Sequence, residues 1–257
     1  MTARALTPAV ARSRGLERLP IVLSLIAGST DVVGFPGLGL FTAHITGNLV
    51  ILTAHVVVRG DPGPVGPILA VPVFMVMLAL TRLLADGCKS LGIAARQPLL
   101  LSQFFLLAGS FVLGIAAGSS VDPSGRYRTL AGMLAVSAMA VQNALVQLEL
   151  IEAPPTVAMT ANVTRLTLDV VEILLGHDSK SVASARHRAM HTWPVVVGFA
   201  IGCGLGAACH AAIGLWSLAL PASLALLAIW LGSGETSPER AVQLTSDPRT
   251  GHLPSAR

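Results

Sequence analysis

Long apolar runs separated by short polar joints dominate the chain. The runs occupy roughly 19–40, 42–58, 65–85, 98–118, 129–148, 156–175, 193–212 and 213–232. A helix needs about 20 mostly apolar residues to cross the hydrocarbon of a bilayer, and several runs approach or reach that length. Pro and Gly punctuate the joints, at Phe35-Pro36-Gly37, Asp61-Pro62-Gly63-Pro64, Asp122-Pro123-Ser124-Gly125 and Pro154-Pro155. The last two runs read as a pair with a tight turn near Ala212 to Leu215. The pattern predicts an all-α fold, a polytopic transmembrane bundle of 6–8 membrane helices, over residues 19–232. Residues 1–18 form a basic leader with Arg4, Arg12, Arg14 and Arg18. No small-residue cleavage site follows it, so the first helix is expected to be retained with its leader in the cytoplasm. Residues 233–257 are rich in Ser, Pro, Thr and charge, a composition that predicts a disordered tail.

Composition strengthens this picture. Hydrophobic residues make up 53% of the chain and charged residues 12%, against about 25% charged in soluble domains. The net charge of +4 would suggest nucleic acid in a soluble protein. Here the basic residues cluster in the joints, where they suit anionic lipid head groups, and a single Tyr leaves no aromatic stacking platform. The expected partner is therefore the bilayer, with no nucleic acid. Arg outnumbers Lys by 15 to 2 and Ala and Gly are abundant, a bias of GC-rich bacterial genomes that points to a bacterial inner membrane. Cys88, Cys203 and Cys209 have no metal-ligand spacing. Neither they nor any nucleotide, hydrolase or metalloprotease motif suggests an enzyme, a cofactor or a metal.

The chain repeats itself. Residues 42–58 and 156–172 align without a gap at a separation of 114, with seven of 17 positions identical. The matches include Thr42/Thr156, Thr46/Thr160, Asn48/Asn162 and Thr53/Thr167. Each copy follows an apolar run with a polar cluster, Ser29-Thr30-Asp31 in one case and Gln142-Asn143 in the other, and each precedes two more apolar runs. Two related halves follow, about 19–118 and 129–232. Such repeats are typical of transporters, whose sites lie where the repeats meet. On an ideal helix the three Thr of each copy share one face, and His55 and Asp169 fall at matching positions on another.

The segment Ala27-Gly28-Ser29-Thr30-Asp31, the run His44-Ile45-Thr46-Gly47-Asn48, then Val141-Gln142-Asn143-Ala144 and Thr160-Ala161-Asn162 resemble, in that order, the YoaK-like family of bacterial membrane proteins. The resemblance spans about 19–232 and implies a multi-pass inner-membrane protein. It implies little about activity. Ala161 stands where a Gly is common in the family pattern.

The polar residues have structural and functional readings side by side. Asp31 either caps the turn region at Pro36-Gly37 or forms a cation or proton site; a carboxylate at the bilayer centre must pair, protonate or face water. His44, Thr46 and Asn48 either cap and glue helices or line a site, and Thr160 and Asn162 repeat the choice. Gln142 and Asn143 divide between interhelical hydrogen bonding and solute contact. Arg165 and Asp169 are four apart and are expected to pair on one helix, with Glu172 close by. His177, Lys180, Arg186, His187, Arg188 and His191 read as a solvated loop. Gly198, Gly202 and Gly206, at spacing four, provide a face for close helix packing, within the chain or with a second copy in a homodimer.

Charge does not choose the topology. Eight crossings give parallel halves, and six give inverted halves with the two Thr-Asn segments re-entrant. Both arrangements place six basic residues inside and three outside. The apolar length of 42–58 favours eight. The leading expectation is a transporter or exporter of a small solute. Its site would lie between the Thr-Asn segments, with Asp31, Asn48, Asn162 and Asp169 coordinating the solute or a proton. The competing expectation is a non-transporting membrane scaffold or partner subunit.

Overall fold

A computed structural model describes residues 8–59, 65–118, 125–151, 153–176 and 178–233, with residues 8–14 as helix backbone only. The expected 233–257 tail lies, apart from Ser233, outside them, as do residues 1–7 of the leader. The elements are α1 (Pro8–Leu38), α2 (Ile45–Arg59), α3 (Val65–Ser90), α4 (Arg96–Gly118), α5 (Arg126–Glu149), α6 (Met159–Leu175) and α7 (Ser179–Ile213), then a 3₁₀ turn (Gly214–Leu218) and α8 (Ala219–Gly232). No strand occurs among the described residues, and the all-α bundle is as the sequence predicts.

Polarity is distributed as lipid demands. The outward faces are apolar: Val76, Leu83, Phe105 and Trp230 are all exposed. The interior holds Ser29, Thr30, Asp31, Thr42, Asn48, Gln103, Gln142 and Asn162. In water this arrangement would cost heavily; in hydrocarbon it keeps the polar groups away from lipid, where most of them find partners. Five stretches are long and apolar enough to cross a membrane: Gly15–Leu38, Val65–Ser90, Arg96–Ala117, Arg126–Glu149 and Ser179–Gly232. The last reverses direction at Gly214, whose φ of +57° favours glycine, and so flanks α1 twice.

Close contacts fix the helix directions. A Cβ on Gly198 would lie 2.7 Å from Ser24 Oγ, one on Gly202 2.4 Å from the Leu25 carbonyl, and one on Gly206 2.9 Å from Ser29 Cα. Gly28 returns the contact, 2.3 Å from the Phe199 carbonyl. α1 and α7 are therefore parallel and nearly in backbone contact. The glycine face is spent on α1, so dimerisation through it would require displacing α1. Gly15 meets Leu231 and Gly37 meets Leu215, so α8 runs antiparallel to α1. Gly114 meets Leu218 and Gly232 meets Leu100, which makes α4 antiparallel to α8. Gln103 bonds Gln142, and Ser110 bonds the Ala131 carbonyl, so α5 is antiparallel to α4. Gly66 and Gly132 both abut Leu40, which puts the starts of α3 and α5 at one end.

With α1 as forward, α3 is reverse and α4 forward; α5 is reverse, α7 forward and α8 reverse. The crossing helices of the two halves thus run in opposite directions. This corrects the eight-crossing, parallel expectation. α2 and α6 have only 15 and 17 residues. α2 leads back to the end where α3 begins, because Gly66 sits against Leu40 just before α2. Of the two charge groupings, Lys89, Arg96, Lys180, Arg186 and Arg188 gather at the α1 N-terminal end, and Arg126 and Arg128 lie at the other.

In a cysteine-free background, Ser90→Cys should be labelled by an impermeant maleimide from the same side as the N-terminus, and Arg128→Cys from the opposite side. Eight crossings would give the reverse result for both.

Candidate functional site

Both repeated segments begin where the chain leaves a long helix and turns back into the bundle. In the first, α1 ends at Leu38 and Gly39 takes φ +78°, reversing the chain so that the Leu40 N–H donates to the Gly34 carbonyl. Residues 40–44 then descend beside α1 until α2 starts. Thr42 therefore lies in the break and not on the helical face expected from its spacing, and so does Thr156, ahead of α6.

The buried carboxylate of Asp31 holds the first break. Oδ1 accepts the N–H groups of Thr42 and Ala43, each at 2.7 Å, and the Thr42 hydroxyl at 3.0 Å. Oδ2 accepts the His44 N–H at 3.3 Å and closes on the His44 ring through Nδ1. The carboxylate holds the segment just ahead of α2, while Pro36 and Gly37 lie inside α1. Each N–H that it satisfies has no helical partner, and a charged acceptor makes the stronger kind of hydrogen bond. Asn48 completes the pin: its Oδ1 accepts the Phe41 N–H at 2.8 Å and its Nδ2 donates to the Phe41 carbonyl at 2.7 Å.

The second break repeats the device with neutral groups. Asn162 reaches back the same seven residues, donating from Nδ2 to the Pro155 carbonyl at 2.5 Å. Pro155 has no N–H to give, and the Asn162 Oδ1 is accordingly buried without a partner. Gln142 takes the part of Asp31. Its Nε2 donates to Thr156 Oγ1 at 3.0 Å and to the Leu23 carbonyl at 2.8 Å, and its Oε1 accepts from Gln103 at 2.7 Å. The two breaks are thus anchored at Leu23 and Asp31 on one helix, about 12 Å apart at ~1.5 Å per residue.

Between them lies a cavity of about 670 Å³. Its walls include residues 43–46 from the first break and 157–160 from the second, the same four positions of the repeat. Asn143, Phe74, Thr164 and Arg165 complete most of the lining. Five of the residues singled out from sequence, His44, Thr46, Asn143, Thr160 and Arg165, therefore face one space. Asp31, Asn48, Gln142 and Asn162 stand behind it as its frame.

Asp169 is elsewhere. The expected pairing with Arg165 does not form. Arg188 on α7 approaches the Asp169 Oδ1 with Nε at 3.0 Å and Nη2 at 2.6 Å. The pair lines a second cavity of about 470 Å³ with His187 and His191, and Arg165 lies on the wall between the two spaces. Asp31 and Asp169 thus share no cavity. Arg188 and its basic neighbours do not form the solvated loop that the sequence predicts. The segment is instead the first half of α7, started by Asp178, whose carboxylate accepts the N–H groups of Lys180 and Ser181. His177 lies outside the described residues. Sequence reasoning also passed over Gln103, although a lone Gln in an apolar run was a usable signal.

A family model described as Protein of unknown function (DUF1275) matches residues 19–231. The chain belongs to this family. The match ends within a residue of the end of the bundle, so both breaks and the cavity fall inside the family's span. Neither a curated protein nor a solved structure matches the chain.

Two stability predictions follow from the pins. Asn48→Ala should cost about twice as much as Asn162→Ala, roughly 2 against 1 kcal/mol, since it removes two full hydrogen bonds where the other removes one and a weak 3.9 Å contact to the Met159 sulfur. Thermal unfolding in detergent measures both, and equal losses would contradict the assignment. Asp31→Ala should be costlier than either, on the order of 3 kcal/mol or more, because it strands several N–H groups, those of Thr42 and Ala43 in buried residues.

Proposed function

We propose that this multi-pass membrane protein is a small-solute transporter or exporter of the bacterial inner membrane, a relative of YoaK-like proteins, with its site between the two broken segments. One observation carries the reading: matching residues of the two repeats, 43–46 and 157–160, line one cavity together. Oppositely directed halves that meet at interrupted helices suit alternating access, in which one half rocks against the other around a fixed site. The size of the cavity, about 670 Å³, lies in the range of small-molecule pockets. His44, Thr46, Asn143, Thr160 and Arg165 contact the solute; Asp31, Asn48, Gln142 and Asn162 hold the backbone that presents them. Asp169 orients Arg188 beside the site and does not bind the solute.

The scaffold reading draws on the Gln103–Gln142–Thr156 chain, a buried network of the kind that glues helices. It gives no role to the unfilled space beside that network.

Ala158→Trp should fill the cavity from the wall without touching the pins. Reconstituted in liposomes and screened against a panel of labelled solutes, the native protein should move at least one, and the variant should lose that flux while retaining its unfolding temperature. Flux unchanged in Ala158→Trp would remove the cavity from the pathway. No flux of any solute would favour the scaffold.

A further inference from the structure

We propose that the cavity selects a small organic anion, with a carboxylate or similar oxyanion held by Arg165 and by the hydroxyls of Thr46 and Thr160. The inference rests on the transporter reading and adds the chemical class of the solute. It follows from the hydrogen-bonding groups left unspent at the walls. The Arg165 guanidinium has no acceptor among the described residues, because the carboxylate expected for it is committed to Arg188. The Thr46 and Thr160 hydroxyls likewise donate to no group among the described residues, whereas Thr164 beside them spends its hydroxyl on the Thr160 carbonyl at 2.9 Å. Thr46 and Thr160 occupy the same position of the repeat, and both line the space.

The acceptors are missing in the same place. No carboxylate is among the lining residues. That of Asp31 is 4% exposed and filled by Thr42, Ala43 and His44. The Asn143 oxygen accepts from Gln147 at 3.2 Å. A cavity with a free guanidinium, free hydroxyls and no negative wall is poor for a cation and leaves a neutral solute facing an uncompensated charge. An oxyanion supplies planar acceptors for the guanidinium fork and lone pairs for both hydroxyls. The first turns of α2 and α6 add a favourable field at the same spot.

The test uses full-length protein in phosphatidylcholine vesicles, which remove anionic lipid as a competing occupant. Uptake of acetate, pyruvate and succinate is compared with that of glycerol and choline. At least one of the carboxylates should be transported in preference to glycerol and choline. Arg165→Gln should lower that uptake on the order of tenfold or more, the loss of one charge-assisted contact. Arg165→Lys should restore part of it. Arg165 is exposed and unpaired, so both variants should insert and unfold like the native chain. Uptake of glycerol or choline without the carboxylates would overturn the anion assignment and leave the transporter reading standing. Carboxylate uptake indifferent to Arg165→Gln, or dependent on added anionic lipid, would overturn the assigned site. Absence of uptake for every probe, and for a broad solute panel, would overturn both.

Discussion

A bilayer offers no water to a backbone that leaves helical geometry, and this chain leaves it twice within the bundle. Each departure is possible only because a side chain stands in for the missing partners. At the first break the Asp31 carboxylate collects N–H groups from Thr42, Ala43 and His44, and Asn48 returns both backbone groups of Phe41 to hydrogen bonds. At the second, Asn162 takes up the Pro155 carbonyl and Gln142 holds the Thr156 hydroxyl, both without charge. The rest of the structure depends on these pins. They stop α2 and α6 short of a crossing, oppose the directions of the two halves, and leave the matching residues 43–46 and 157–160 lining one cavity.

The two halves have diverged in an instructive way. The first break holds an ionisable pair, Asp31 with His44, and the second has Leu145 and Ala158 at the corresponding positions. The second break carries Pro155, which removes the N–H that Asn48 receives from Phe41 in the first. A proline there needs less pinning, because its own ring restricts the turn. Arg165, without an acceptor among the described residues, is on the second side, so the charge in the cavity region is divided: a compensated pair behind the first segment and an uncompensated guanidinium on the second. An exact two-fold site would have no such polarity.

Much of this was legible in the sequence. The lipid-facing character followed from composition, and the repeat from an ungapped match that included Asn48 and Asn162. The glycine triad of α7 did indicate a close helix approach, since only a missing Cβ admits the Leu25 carbonyl at Gly202. The role of the two Asn was not legible. It depends on a seven-residue reach into a non-helical turn, and helical periodicity assigns Thr42 to a face it does not occupy. The Arg165–Asp169 pairing failed because a hydropathy pattern hides the polar first half of α7. Once Ser179–Thr192 is helical, Arg188 reaches Asp169 with two nitrogens, better geometry than an i,i+4 contact provides. Topology was illegible for a different reason: an apolar run of 17 residues suits a crossing or a re-entrant segment equally, and the basic residues divide the same way in both.

The central claim is that the two breaks meet at one cavity from opposed halves. Thr46→Cys and Thr160→Cys, combined in a cysteine-free chain and treated with a short bifunctional maleimide, test it directly. The account predicts an intramolecular cross-link in the monomer, absent from either single variant. Ready modification of both cysteines, each by monofunctional reagent, with no cross-link between them would contradict it.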